Sequence, residues 1–233
     1  MTVIDPASHF DRARAEGYDR RVRHLIPGYE AVQGLALSLL ESSLGAESSV
    51  LVAGAGTGSE AVSFASRNPG WKVTGFDPAA EMLKIAGAKV REEGLEDRVS
   101  LVEGFAGAVE ERPLFDAATS MLVMHFLPDD GSKDEFLSGI SKRLKPGARI
   151  VLTDLEGDTA SPAFKTLEKA WRRQLLSVVK DPEAVEETFE NLRTNVKFVP
   201  EKRIREILEN AGFPAAVKFF QGFLTGGYTA VKT

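Results

Sequence analysis

Short apolar runs alternate with amphipathic segments over most of the chain. The runs near residues 50–54, 71–77, 99–104, 115–126 and 148–155 are apolar and partly β-branched, which is typical of strands buried on both faces of a parallel sheet. Between them stand segments whose apolar residues recur at the helical period. This alternation predicts a doubly wound α/β sheet that is mostly parallel.

Two stretches have no place in that alternation. Residues 18–44 show a helical pattern before the first strand, and residues 156–199 contain two successive amphipathic segments with no strand between them. We predict a single domain over residues 1–233, with an amino-terminal helical cover over residues 1–45. A helical lid over residues 156–199 is predicted at one end of the sheet.

The end of the chain has the pattern of a hairpin. Two β-rich runs flank Gly226 and Gly227, and paired glycines between such runs are a common turn signal. We therefore predict a turn at these glycines and an antiparallel last strand.

Composition and net charge exclude several classes of function. The 233 residues carry a formal net charge of -5, so the chain lacks the excess of basic residues that is typical of nucleic-acid-binding proteins. It contains no cysteine, which excludes disulfides and thiolate chemistry. The sequence shows no signal peptide or membrane span, so we expect a cytoplasmic protein. Asp129 and Asp130 are better explained as a turn than as a metal pair, because two adjacent carboxylates are too few ligands; we expect no metal.

Gly54, Gly56 and Gly58 follow the first predicted strand directly. At that position glycines let backbone amides approach a ligand, although they also serve tight turning and close helix packing. Their spacing differs from the dinucleotide fingerprint, which disfavours a pyrophosphate cradle and a nicotinamide dehydrogenase.

Asp77 ends the second predicted strand about twenty residues after the loop. A carboxylate there can accept hydrogen bonds from a ribose diol. It can also cap a helix that begins at Pro78, and the two roles are compatible because the carboxylate has two oxygens.

Four segments, VLVAGAGTGSEA, VTGFDPAAEML, FDAATSMLVMHFL and LKPGARIVLTDL, resemble the class I S-adenosylmethionine-dependent methyltransferases in order and spacing. The resemblance implies a Rossmann-like seven-stranded sheet with a reversed last strand and S-adenosylmethionine as cofactor. By position, the expected cofactor contacts are Ala53, Gly54, Ala55, Gly56 and Gly58 at the methionine part, Asp77, Pro78 and Met82 at the ribose, Phe105 and Ala106 at the adenine, and Met121 near the methyl group.

The terminal segments YDRRVRHLIPGYEAV and FFQGFLTGGYTAVKT look most like a branch that includes the carboxy-S-adenosylmethionine synthases of tRNA wobble-uridine modification. That likeness implies that the amino-terminal segment folds over the cofactor, with Tyr18 and Arg23 as contacts. Arg23 could pair with the cofactor carboxylate, or it could belong to a solvated helix face.

Two positions depart from the family pattern. Val52 stands where an acid is usual, and Phe105 stands where an aspartate often contacts the adenine amino group. Both departures bear on cofactor affinity or identity, although an aromatic ring at residue 105 can stack on adenine.

Methyl transfer is an in-line displacement in which the protein positions the acceptor and, where needed, removes its proton. The candidate bases are His125, after the fourth strand, and Asp154 or Glu156, at the end of the fifth. A histidine in an apolar run can instead be a packed core residue. Basic side chains of the lid, Arg172, Arg173 and Arg193, with Trp171, could select an acidic or aromatic acceptor or could be helix surface.

The sequence thus predicts methyl transfer to a small-molecule acceptor by a monomer or homodimer, without nucleic-acid or membrane partners. Two alternatives stay open. One is a carboxy-S-adenosylmethionine synthase-like enzyme, and the other is a non-catalytic cofactor-binding module.

Overall fold

The computed structural model describes residues 10–112 and 114–233. Seven strands form one sheet in the order β3-β2-β1-β4-β5-β7-β6. The strands are β1 (Ser49–Ala53), β2 (Lys72–Asp77), β3 (Val99–Glu103), β4 (Phe115–Met121), β5 (Leu144–Leu155), β6 (Val217–Gly222) and β7 (Thr225–Val231).

Helices flank the sheet. They are α1 (Arg12–Ala15), α2 (Tyr18–Leu25), α3 (Tyr29–Glu41), α4 (Ser59–Arg67), α5 (Ala80–Glu92), α6 (Ser132–Ser141), α7 (Pro162–Val179), α8 (Pro182–Asn195) and α9 (Glu201–Asn210). Short 3-10 turns lie at Ala106–Ala108 and Met124–Phe126. Within the described residues, no helix combines the length and the apolar character needed to cross a membrane.

The predicted sheet is confirmed. Strands β1 to β5 pair in parallel, whereas β7 runs antiparallel to both β5 and β6. The order reverses at β1, which lies between β2 and β4, and ligands of such sheets bind in the crevice at the carboxyl ends of the strands on either side of that point.

Alternation along each central strand builds one core on each face of the sheet. In β1, Leu51 and Ala53 belong to one buried cluster, and Val50 and Val52 belong to the other. All four side chains are fully buried, as expected for a strand covered by helices on both sides.

The predicted fourth strand is too long. It ends at Met121, because Leu122 adopts a left-handed conformation with φ 61° and the chain then turns into the Met124–Phe126 segment. The amide of Leu122 still donates to the carbonyl of Thr153 in β5, at 2.8 Å. The break places the residues after β4 over the end of the sheet.

The hairpin exists, but the predicted turn position is wrong. The turn lies at Phe223 and Leu224, and Gly226 and Gly227 are inside β7. A Cβ on Gly226 would stand 2.6 Å from the carboxyl carbon of Glu156. These glycines therefore make room for neighbouring side chains and do not form the turn.

The two segments that interrupt the alternation are helical as predicted. In α7 and α8 the amino-terminal turns are capped by Ser161 and Asp181, and each cap precedes a proline that favours helix initiation. The indole of Trp171 in α7 is buried and donates to the carbonyl of Leu25 in α2, at 2.6 Å. This contact joins the amino-terminal helices to the inserted pair.

Candidate active site

The loop after β1 consists of glycines in left-handed conformations. Gly54, Gly56 and Gly58 have φ of 73°, 52° and 79°, a region that favours glycine. A Cβ on Gly54 would overlap Val123, and one on Gly58 would lie 2.8 Å from the Cβ of Ala86 in α5. Gly58 thus serves helix packing, while Gly54 and Gly56 border a cavity.

Asp77 ties this loop to the end of β2. Its Oδ2 accepts from the amide of Gly56 at 2.9 Å, and its Oδ1 accepts from the amide of Ala79 at 2.8 Å. The predicted helix cap is wrong in detail, because α5 begins at Ala80 and Ala79 is its capping residue. Burial raises the pKa of the Asp77 carboxyl, and each oxygen keeps a lone pair for a further hydrogen bond.

A cavity of about 100 Å³, the smaller cavity, opens beside Asp77 at the reversal of strand order. Eight of the predicted cofactor contacts line it: Tyr18, Gly54, Gly56, Asp77, Pro78, Met82, Phe105 and Met121. Four others, Ala53, Ala55, Gly58 and Ala106, lie outside its lining. The structure therefore brings together residues from the loop and the ends of β2, β3 and β4.

Aromatic side chains dominate the walls of this cavity. Phe105 is 61% exposed, which leaves its ring available for stacking. Tyr18 packs edge-on against Phe10 at 5.9 Å between ring centroids, and burial raises the pKa of its hydroxyl. Phe10, whose ring centroid lies 5.7 Å from that of Phe126, was not predicted; a lone phenylalanine carries no sequence signal that separates a cavity wall from a core.

The structure does not bring Arg23 to the smaller cavity. Its guanidinium pairs with Glu30 at 3.0 Å on the surface. Asp19, four residues before Arg23, contacts the glycine loop instead. Its carboxylate accepts hydrogen bonds from Thr57 in the loop and from Lys89 in α5, both at 2.5 Å. The amino-terminal helix is thus fastened through an acid and not through Arg23.

Val52 is fully buried inside the sheet, but the carboxyl group of Glu60 in α4 contacts the neighbouring strand. Thr119 is the register partner of Val52 in β4, and its hydroxyl donates to Oε1 of Glu60 at 2.9 Å. Burial raises the pKa of Glu60 to about 7. The sequence signal for this group was weak, since Glu60 lies in an ordinary first helical turn.

His125 and Asp154 meet at the carboxyl ends of β4 and β5. Nδ1 of His125 contacts Oδ1 of Asp154, which also accepts from the amides of His125 at 3.2 Å and Leu155 at 2.8 Å. Both side chains are buried. Glu156, the other candidate base, is held by Lys218 and Tyr228 and does not line the smaller cavity.

Lys133 is a buried cation near this pair. Its side chain is fully buried, and its Nζ donates to the carbonyl of Met124 at 2.8 Å. Burial lowers the pKa of Lys133, while the charge of Asp154 acts in the opposite direction. In the sequence it is indistinguishable from a surface lysine in the first turn of α6.

A second cavity of about 340 Å³, the larger cavity, lies beneath α2 and α8. His125 lines it, and Phe10, Tyr18, Leu122 and Phe126 line both cavities. The two spaces therefore adjoin, and the histidine belongs to the larger one.

The lid side chains singled out in the sequence lie elsewhere. Arg172 pairs with Glu168 at 2.9 Å, and Arg193 pairs with Glu186 at 2.9 Å. None of Trp171, Arg172, Arg173 and Arg193 lines the larger cavity. The lid contributes Leu175, Val179 and one face of α8 instead.

The acidic pair after β4 forms a turn. Asp130 accepts from the amide and hydroxyl of Ser132, and Asp129 pairs with Arg203 at 2.9 Å. In residues 10–112 and 114–233, no three histidine or acidic side chains cluster in a way that could hold a metal ion.

Comparison with known proteins agrees with this geometry. Residues 50–147 match a family model described as a methyltransferase domain. An uncharacterized methyltransferase of Geobacillus kaustophilus (strain HTA426) is 30% identical over 178 residues, which are 76% of each chain. A demethylmenaquinone methyltransferase of Lactiplantibacillus plantarum is 34% identical over 127 residues, 53% of this chain and 50% of that one.

Solved structures share the fold. Magnesium protoporphyrin IX methyltransferase from Synechocystis PCC 6803 superposes with a TM-score of 0.68 at 18% identity, covering 98% of this chain and 96% of that one. Human N-acetylserotonin methyltransferase superposes with a TM-score of 0.67 at 18% identity, covering 100% of this chain and 60% of that one. None of these proteins singles out the carboxy-S-adenosylmethionine synthase branch, which stays a prediction. With the family model, the Geobacillus relative and the sheet in agreement, the chain belongs to the class I S-adenosylmethionine-dependent methyltransferases.

Proposed function

We propose that this methyltransferase acts on a hydroxyl oxygen of a small, largely apolar acceptor, with His125 as the general base. The observation that carries the proposal is the contact between Nδ1 of His125 and Asp154 at the wall of the larger cavity. A carboxylate that contacts Nδ1 fixes the orientation of the ring and leaves Nε2 to take a proton, as general-base catalysis requires.

The lining of the smaller cavity suits the nucleoside part of the cofactor. Asp77 presents a partly buried carboxylate to it, Phe105 presents an aromatic face, and Gly54 and Gly56 border it without a side chain. We assign the ribose hydroxyls to Asp77 and the adenine to Phe105. When bound, S-adenosylmethionine supplies an electrophilic methyl group on a sulfonium centre.

Asp154 determines which nitrogen of His125 is basic. Its Oδ1 accepts the Nδ1 proton, so the lone pair is left on Nε2. Nε2 then takes the proton of the acceptor hydroxyl, and the adjacent carboxylate stabilises the resulting imidazolium. Lys133 interacts electrostatically with Asp154, and its hydrogen bond to the carbonyl of Met124 at 2.8 Å holds the residue that precedes His125.

The larger cavity favours an apolar acceptor body. Its walls include Val22, Ile26, Leu122, Leu155 and Leu192, so an aromatic or aliphatic skeleton would exclude water from the base. The alternative reaction of the carboxy-S-adenosylmethionine synthases needs a cation beside the cofactor. Among the described residues that line the smaller cavity there is no arginine or lysine, so that alternative gains no support.

The test uses S-adenosylmethionine carrying a ¹³C-methyl group and a panel of hydroxylated benzoic and naphthoic acids with their methyl esters. We expect NMR to show the label on oxygen, and the surface variant Arg23→Ala to behave as the wild type. Label on carbon would reject the assigned atom. Binding of S-adenosylhomocysteine without transfer to any panel member would favour the non-catalytic module.

A further inference from the structure

The charged side chains at the rim of the larger cavity are all basic. Its basic lining residues are Arg14 in α1, Arg21 and His24 in α2, and His125 at its base. No aspartate or glutamate is among the described residues that line it. The whole chain has a formal net charge of -5, so a cavity bordered by basic groups alone is unexpected.

Most other arginines of the helices around this cavity are neutralised by neighbours. Arg12 pairs with Glu16 at 2.7 Å, and Arg23 pairs with Glu30 at 3.0 Å. Arg172 and Arg193 are tied to Glu168 and Glu186. In each of these ion pairs, the negative charge of the glutamate offsets the positive charge of the arginine.

Arg21 and His24 differ from them. Within the part of the chain that the structure describes, neither forms an ion pair with an acid. Arg21 donates to the carbonyl of Arg14, which holds the guanidinium in place without cancelling its charge. Gly17 accommodates it, because a Cβ at residue 17 would overlap the Arg21 guanidinium.

The opposite wall supplies uncharged polar groups. Thr188, Asn191 and Asn195 line the cavity from α8, and their spacing places them on one face of that helix. Between this wall and the rim stand the apolar residues described above. The cavity thus combines an apolar body, a polar wall and a cationic rim.

We propose that the acceptor is an amphipathic acid: a hydroxylated apolar skeleton whose anionic group, a carboxylate or an equivalent oxyanion, pairs with Arg21 and His24. The hydroxyl to be methylated lies at His125, and the anionic group lies at the rim. This inference rests on the proposed function for the reacting atom, but the charge selection stands on the lining of the cavity. Arg21 is a specificity residue and takes no part in the transfer.

The binding test uses two fluorescent probes of similar shape. Anilinonaphthalene sulfonate is anionic, and N-phenyl-1-naphthylamine is neutral. We expect Arg21→Gln and His24→Gln to weaken binding of the anionic probe by about 5–20-fold while the neutral probe changes less than about 2-fold. Arg20→Gln is the matched control, because Arg20 lies on the same helix, is exposed and does not line the cavity.

Equal loss with Arg20→Gln, or equal loss for both probes, would overturn the inference. A turnover test with the acid and ester pairs separates it from the proposed function. We expect Arg21→Gln to raise KM for the acids by about tenfold, with kcat and the ester KM little changed. Esters methylated as well as acids by the wild type would reject the inference but not the function. Charge-selective probe binding without any transfer would reject the function and support the inference.

Discussion

Oδ1 of Asp154 accepts hydrogen bonds from the backbone amide of His125 as well as contacting its Nδ1. The carboxylate therefore positions both the main chain and the ring of the same residue. Its second oxygen, Oδ2, is buried and has no hydrogen-bond partner among the described residues. A buried carboxylate oxygen without a hydrogen-bond partner lowers the stability of the fold. We therefore interpret Asp154 as a functional residue.

Replacing Asp154 with asparagine tests its role as a positioning residue. The amide can still accept one hydrogen bond but carries no charge to stabilise the imidazolium. We expect kcat for methyl transfer to fall by about 10²–10³-fold, with the Kd for S-adenosylhomocysteine changed less than about 3-fold. Equal losses in cofactor affinity and kcat would show that Asp154 only maintains the fold.

Asp77→Asn tests the cofactor site. One oxygen becomes an NH₂ group, which faces the amide of Gly56 or of Ala79 and leaves that donor unpaired. We expect the affinity for S-adenosylhomocysteine, measured by calorimetry, to fall by about 10–100-fold. Asp116→Asn is the control, because Asp116 accepts from the amide of Ser49 at the opposite end of the sheet, at 2.8 Å; it should bind as the wild type does.

Glu60→Gln is expected to stabilise the protein at alkaline pH. Burial raises the pKa of Glu60 from its ordinary 4.5 to about 7, so the folded state binds its proton more tightly than the unfolded state. Stability is therefore lost as the pH rises from 4.5 through about 7. The neutral amide avoids this loss, which is on the order of 1–3 kcal/mol.

Thermal unfolding should then give the variant a Tm roughly 3–8 °C above the wild type at pH 8.5 and nearly the same Tm at pH 4.5. Glu30→Gln provides the comparison, since that carboxylate pairs with Arg23 at the surface. A Tm gain that does not depend on pH would contradict the assignment.

Gly226→Ala tests why β7 contains paired glycines. Its Cβ would stand 2.6 Å from the carboxyl of Glu156, so we expect a loss of about 1–3 kcal/mol in the free energy of unfolding. Gly34→Ala in α3 meets no atom within 4 Å and should gain about 0.5–1 kcal/mol. Denaturant titrations of both variants check this; a neutral effect at residue 226 would show that the Glu156 carboxyl does not require a glycine there.

Local sequence information was enough for the sheet and the loop. The strands β1 to β5, the glycines after β1 and Asp77 after β2 all follow from patterns that span no more than twelve residues, although the pattern for β4 extended past its end at Met121. Glycines 226 and 227 were misassigned because the reason for them is Glu156, about seventy residues away in the chain. No local pattern reports such a contact.

The amino-terminal helix shows a second limit. Arg21 and Arg23 are two residues apart, so they point about 200° apart around a helix. Val22 and Ile26 are the buried positions that fix the rotation, and their packing turns Arg21 toward the larger cavity and Arg23 toward Glu30. Which basic residue meets a ligand depends on that tertiary contact.

The most direct test of the central claim is a single-turnover measurement with methyl-labelled S-adenosylmethionine and the best acceptor of the panel, comparing the wild type with His125→Asn. We expect the rate of label transfer to fall by about 10²–10⁴-fold, while the Kd for S-adenosylhomocysteine stays within about 2-fold. Transfer at the wild-type rate by His125→Asn would contradict the account.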